Sequence, residues 1–193
     1  MGEYRKIHTT LNEMKNGVSP GSFDQPVFKT DFGVVGVQIC FDIEYEDGWR
    51  ELRDKGVDII FWPSAFSGGQ MISTKAWENR CVTVSSAWKD TSRICDMTGE
   101  VIAETGRWNA NFISGTVNLE KVFLHTWPAV SQFESIKKKY GRKIHIKTFH
   151  EEEWSVIESL SPDIYVADIL REFNIKGRQQ LLKEAASRQD ELR

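Results

Sequence analysis

The residues here whose types and spacing could do chemistry are a cysteine, a lysine and a scatter of carboxylates. Cys40 stands near the end of the run Gly33-Val-Val-Gly-Val-Gln-Ile-Cys40-Phe-Asp42, in which apolar, mostly β-branched residues lead the backbone into a thiol. A segment with helical character follows from Asp47 to Lys55. A strand that ends in a nucleophile just before a helix fixes the side chain on a rigid element, and the helix N-terminus favours negative charge. A free cysteine at a strand end also serves as a small buried hydrophobe, and the local sequence leaves both readings open. Lys6 is open in the same way. A lysine in a strand is ordinarily exposed, but an ammonium beside a thiol lowers its pKa and steadies a tetrahedral oxyanion. Asp42, Glu44, Glu46 and Asp47 read as charges gathered at a helix N-terminus. Cys81 and Cys95 have no matching chemistry around them and read as structural.

These side chains need elements to hold them. Residues 3–8 alternate with a loose period of two and predict a strand. A strand at the very start reads as a chain that begins inside an element. Residues 9–25 are polar, with turn signals at Asn16-Gly17 and Ser19-Pro20-Gly21, and predict a loop. A short strand is expected over 27–30. The strand at 33–40, the helix at 47–55 closed by Gly56, and an apolar strand at 57–62 stopped by Pro63 make a βαβ unit with parallel strands. Sites gather at the carboxyl ends of such strands. That rule sets Cys40-Phe-Asp42 and Ser64-Ala-Phe-Ser-Gly-Gly69 side by side at one rim. Trp62, Ser64, Phe66 and Gln70 then become pocket candidates, although packing and loop structure explain them as well. A helix over 72–80, a strand over 82–87, a hairpin around Met97-Thr-Gly99 and a strand over 111–119 complete this region.

The composition shifts after residue 120, where Lys137-Lys-Lys139 and Glu151-Glu-Glu153 read as solvated surface. Residues 121–193 are expected to form an extension of a strand pair, 142–150 with 154–160, and two helices. The first helix runs over 163–174 with Ser161 as N-cap and Pro162 at its first position; the second runs over 179–192.

With 193 residues, 40% hydrophobic and 27% charged, the chain has the makeup of a globular domain with a sizeable core. A net charge of -3 gives no electrostatic reason to expect nucleic acid or a membrane as partner. The three cysteines match no metal spacing and the four histidines are scattered, so no metal and no cofactor is expected. No secretion signal is visible, and a reduced, cytoplasmic setting is the simplest expectation.

Taken in order, Tyr4-Arg-Lys6-Ile-His8, Gly17-Val-Ser-Pro-Gly21, Val27-Phe-Lys-Thr-Asp-Phe-Gly33 and Ile39-Cys-Phe-Asp42 resemble the second half of the carbon–nitrogen hydrolase (nitrilase) superfamily. Phe61-Trp-Pro-Ser-Ala65, Glu78-Asn79 and Asp96-Met-Thr-Gly-Glu100 continue the resemblance, which covers roughly residues 3–120. It implies an α/β fold, here part of an α-β-β-α sandwich, with residues 1–120 as the C-terminal portion of the hydrolase domain. It implies a Glu-Lys-Cys triad in which cysteine attacks an amide or nitrile carbon, forms a thioester, and is released by water. Carried over, Cys40 is the nucleophile and Lys6 the triad lysine. The Phe41 N–H shares oxyanion stabilisation with Lys6, and Glu13 falls where many members keep a substrate-positioning glutamate.

Phe41-Asp42 after the cysteine is similar to the amidase and carbamoylase branches, so small linear amides or N-carbamoyl compounds are the expected substrates. The resemblance also implies a homo-oligomer in the full-length form. The triad glutamate of the family lies upstream of the Tyr-Arg-Lys strand, and no residue here matches it. Glu13 and Glu78 are the carboxylates that could substitute as base. The competing expectation is therefore a truncated, non-catalytic homologue, or a fragment acting at most as an interaction module.

Overall fold

Runs of β-branched and apolar residues broken by short turns build one six-stranded sheet in the first part of the chain. A computed structural model describes residues 2–106 and 111–193. The chain divides into two compact units at Leu119 and Glu120.

In the first unit, helix α1 (Leu11–Lys15) precedes strands β1 (Phe28–Thr30) and β2 (Gly33–Val37). A short 3-10 turn (Cys40–Glu44) leads to helix α2 (Asp47–Asp54), strand β3 (Ile59–Ser64), helix α3 (Gln70–Asn79) and strands β4 (Val82–Ala87), β5 (Arg93–Cys95) and β6 (Val101–Glu104). The strands lie in sequence order from β1 to β6. β2, β3 and β4 are mutually parallel, and the outer pairings are antiparallel. The expected βαβ unit is thus formed, with β2 and β3 registered Val35 to Ile59 and Val37 to Phe61.

Side chains alternate across this sheet, as the strand period requires. Ile60 and Trp62 face the core built with Trp49, Leu52, Ile72 and Ala76 of α2 and α3. Ile59 faces the other way, with Val82 and Ile94. A fully buried aliphatic side chain such as Leu52, Ile60 or Ile72 contributes about 1.5–3 kcal/mol. Helix α2 ends as the sequence predicts. Gly56 has φ 74°, its N–H donates to Arg53 O at 3.0 Å, and the Val57 N–H donates to Leu52 O at 3.2 Å. This double closure satisfies the last carbonyls of the helix.

Four expectations need correcting in this unit. Residues 3–8 form no strand: the Lys6 carbonyl accepts from the Gly21 N–H at 2.8 Å and the His8 N–H donates to Asp42, so the backbone spends these groups on a loop and a side chain. Residues 11–15 are helical rather than loop, because Thr10 and Glu13 form a reciprocal cap. β3 runs through Pro63 to Ser64. The Phe61 carbonyl accepts from the Gln38 N–H, so the proline nitrogen two residues on faces the same side, where β2 has already ended, and no ladder bond is lost. Residues 111–119 form no strand, yet Ile113, Val117 and Leu119 pack on the Ile59–Val82–Ile94 cluster. The period of two marked the buried face correctly, but no hydrogen-bonded ladder accompanies it.

The second unit comprises β7 (Lys121–His125), α4 (Thr126–Tyr140), β8 (Ile144–Phe149), β9 (Trp154–Ser159), α5 (Val166–Glu172) and α6 (Arg178–Glu191). Its antiparallel sheet is ordered β7-β9-β8, so the expected strand pair gains a third member. Leu124, Phe133, Ile136, Ile157, Val166 and Ile169 form its core. α5 starts at Val166 and not after Ser161. Residues 161–164 turn instead, with Ile164 N–H on Ser161 O, and the Glu120 carboxylate accepts the Val166 N–H at 2.7 Å. A carboxylate distant in sequence supplies the cap that the local serine was expected to give. No residue of α6 is buried. Among the described residues no helix is long and apolar enough to cross a membrane.

Candidate active site

Cys40 sits just beyond the end of β2, at the first position of the 3-10 turn. Its φ is 48°. A left-handed backbone is unfavourable for a residue with a Cβ, and persists only where the surroundings enforce it. Two buried indoles provide that enforcement. Trp62 Nε1 of β3 donates to the Cys40 carbonyl at 3.0 Å, and Trp49 Nε1 of α2 donates to the Asp42 carbonyl at 3.1 Å. Both rings are fully buried. The Cys40 side chain is partly exposed and forms no disulfide.

Asp42 is the hidden centre of the turn. It is 0% exposed. Its Oδ2 accepts from the Ile39 N–H at 2.8 Å and from the Tyr4 hydroxyl at 2.7 Å, and its Oδ1 accepts from the His8 N–H at 2.7 Å. A buried carboxylate is tolerated when donors surround it in this way. Tyr4 also accepts from Gln38 Nε2 at 3.3 Å. Burial, followed by the charge of Asp42, pushes the Tyr4 phenol far above its ordinary pKa, so it remains a donor. His8 stacks on Tyr45 with ring centroids 3.8 Å apart, and its Nε2 lies 3.2 Å from Asp47 Oδ2. Of the four acids grouped at the helix start, Asp47 fits that reading, since its Oδ1 takes the Gly48 N–H at 2.7 Å. Glu46 pairs with the buried Lys75 of α3. Asp42 does not fit it, because its donors lie in the turn and in residues 4–8.

Lys6 and Glu13 are brought together. The Lys6 Nζ donates to Glu13 Oε1 at 2.8 Å and Oε2 at 2.6 Å. The cap of α1 holds the carboxylate in place: Thr10 N–H donates to Glu13 Oε2 at 2.7 Å, and Thr10 Oγ1 accepts the Glu13 N–H at 3.2 Å. The lysine side chain is 10% exposed. Hydrogen bonds from Lys6, then from the Thr10 backbone, hold the Glu13 carboxyl below its usual pKa. Glu78 lies exposed on α3.

Ser64 and Phe66 lie at the end of β3 and in the loop after it. Ser64 Oγ accepts the Phe66 N–H at 3.1 Å, and the Phe66 ring meets Trp62 edge to face at 5.3 Å. Gln70 is exposed at the start of α3. Trp62 lies under the turn as a buried support. The other two thiols are set apart by their surroundings: burial pushes Cys81 up to about 12 and also raises Cys95. Sequence reasoning missed Tyr4 and Trp49, and it misread Asp42. The signal for Asp42 was its place two residues after the cysteine, before the helix proper begins.

The carbon-nitrogen hydrolase family model matches residues 1–123. The chain belongs to the carbon-nitrogen hydrolase family. A probable nitrilase of Schizosaccharomyces pombe is 32% identical over 135 residues, covering 62% of this chain and 48% of that protein. A probable hydrolase of Bacillus subtilis is 41% identical over 90 residues, covering 42% and 17%. A deaminated glutathione amidase of Synechocystis is 28% identical over 103 residues, covering 45% and 38%. The chain thus spans about half, or less, of the length of these relatives. Among solved structures, an amidase from Nesterenkonia sp. superposes with a TM-score of 0.51 at 20% identity, over 55% of this chain and 46% of that one. That likeness is one of fold, and it matches the mixed α/β architecture. The hydrolase family match ends close to the boundary between the two units.

Proposed function

We propose that this chain carries the cysteine and lysine of an amide-hydrolysing centre that acts through a thioester. The observation that carries the reading is Cys40 itself, held in a left-handed backbone at the end of a parallel strand by two indole N–H groups and a buried carboxylate. In this reading the Cys40 Sγ attacks the carbonyl carbon of a small linear amide or N-carbamoyl compound. The Lys6 ammonium and the Phe41 N–H steady the oxyanion, the C–N bond breaks, and the amine leaves with the proton that the Cys40 thiol gives up. Water then cleaves the thioester. Phe41-Asp42 after the cysteine supports amides over nitriles. Glu13 orients Lys6 and substrate, while Ser64 and Phe66 line the approach.

Mass spectrometry of the protein after incubation with a panel of small amides tests this. The expected result is an acyl adduct on Cys40 that is lost in Cys40→Ala. An adduct that persists in Cys40→Ala removes Cys40 from the role.

A second reading, binding without turnover, is favoured by one observation. The carboxylate bonded to Lys6 is Glu13, and its lowered pKa makes it a weak base for activating water. Under that reading these 193 residues form the adduct and fail to release it. Under the first, free acid accumulates in excess of protein.

A further inference from the structure

Asp42 ties together the two segments on which the proposed chemistry depends. Its carboxylate bonds Tyr4 and His8, the residues two before and two after Lys6, and the N–H of Ile39, the residue before Cys40. The carboxylate belongs to the same turn as Cys40, and the Trp49 indole locks its backbone carbonyl. Residues 4–8 have no strand ladder to fix them. The bonds to Asp42 therefore do what a neighbouring strand would otherwise do. The His8 ring Nδ1 also lies 3.4 Å from Asp42 Oδ1. A carboxylate offers acceptors only, and the three groups bonded to it here are donors, so no neutral isostere preserves all three bonds.

We infer that Asp42 is a positioning residue that sets Lys6 against Cys40, with the Tyr4 hydroxyl as the detachable arm of the same device. This rests on the reading of Cys40 as nucleophile and Lys6 as its cationic partner. Asp42 touches neither substrate nor the reacting atoms. It acts through the placement of the ammonium, and the thiolate fraction of Cys40 reports that placement. The buried indoles hold the Cys40 turn alone, Trp62 at the Cys40 carbonyl and Trp49 at the Asp42 carbonyl, whereas the Asp42 carboxylate acts on the relation between two segments 34 positions apart in sequence, from Lys6 to Cys40.

The test is the pH profile of Cys40 alkylation by iodoacetamide, read by peptide mass spectrometry on the full chain. It compares the parent protein with Lys6→Met, Asp42→Asn and Tyr4→Phe, with circular dichroism to check the fold. Lys6→Met is expected to move the alkylation midpoint upward. Asp42→Asn is expected to move it nearly as far, and a midpoint higher by about 1 in pH lowers the rate near neutral pH about tenfold. Tyr4→Phe is expected to move it in the same direction by a smaller step.

If Lys6→Met leaves the midpoint in place, the pairing of Lys6 with Cys40 falls, and the positioning role of Asp42 falls with it. If Lys6→Met moves the midpoint while folded Asp42→Asn and Tyr4→Phe leave it in place, the pairing stands and the positioning role alone is overturned. Should Asp42→Asn fail to fold, Tyr4→Phe decides, since it removes a single hydroxyl and leaves the Asp42 carboxylate in place. A merely structural role would lower stability without moving the midpoint.

Discussion

Asp42 and Glu13 carry the same group into different surroundings. Asp42 is buried among donors, and Glu13 is partly exposed and bound to Lys6. The lowered pKa of Glu13 gives its pH dependence a sign. A carboxyl depressed below its unfolded value, near 4.5, contributes stability that is present above that value and lost as pH falls through the folded one. Glu13→Gln is therefore expected to lie closer to the parent protein in urea midpoint at about pH 3 than at about pH 7. An unchanged difference between the two pH values would show that the ion pair does not titrate. The buried thiols give the opposite sign. Cys81 is raised from about 9 to about 12, so its contribution is present below the unfolded value and lost as pH rises between the two. Under native conditions at about pH 8, Cys81 and Cys95 are expected to resist alkylation until denaturant is added, while Cys40 reacts. Labelling of all three at one rate would contradict the burial.

At the scale of elements, α2 shows how closely the supports of the site are fitted. Gly48, its second residue, lies against the loop and the end of β2. A Cβ there would meet Gln38 Oε1 at 2.6 Å and Ile7 Cδ1 at 2.7 Å. Gln25 Nε2 donates to the Gly48 carbonyl at 3.0 Å and Gln38 donates to Gln25, so the clash reaches a buried amide network. Gly48→Ala is expected to cost about 1–3 kcal/mol, despite the better helix propensity of alanine. Urea unfolding measures it, and a gain in stability would show that the network yields. The same helix explains why the elements were so readable. Its amphipathic face, its closing glycine and the apolar strand after it are local signals, and α2 forms where they predict, while β3 follows two residues later than expected, over Ile59–Ser64. The segments at 3–8 and 111–119 misled because alternation records which side chains are buried. Ladder formation depends on a neighbour that the segment itself does not encode.

For the whole chain, the two units carry separate cores. The family match covers the first and only the opening residues of the second. The core of the second is its own, with Ile157 fully buried in the central strand β9. Ile157→Ala is expected to cost about 2–5 kcal/mol within that unit. Hydrogen exchange of the β8–β9 amides is the measurement, and protection unchanged from the parent protein would refute the assignment of Ile157 to the core. The three-stranded sheet was only partly legible. Lys121–His125 carries no turn chemistry that marks it as a strand, and α4 was missed although Ala129, Phe133 and Ile136 sit at helical spacing. Helix α5 begins late because its cap, Glu120, lies 46 residues away.

Residue order alone specifies the βαβ frame, the place of Cys40 at the rim and the pattern of the carbon-nitrogen hydrolase family. Those features are written in local periodicity and turn residues. Which carboxylate is buried, and what it holds, is settled by folding in three dimensions. Asp42 lies among acids that are indistinguishable from it by composition, and it became the anchor of residues 4–8 because folding brings Tyr4, His8 and Ile39 around it. Hydrogen-bond donors from distant positions choose the acid, and their convergence is a property of the folded chain.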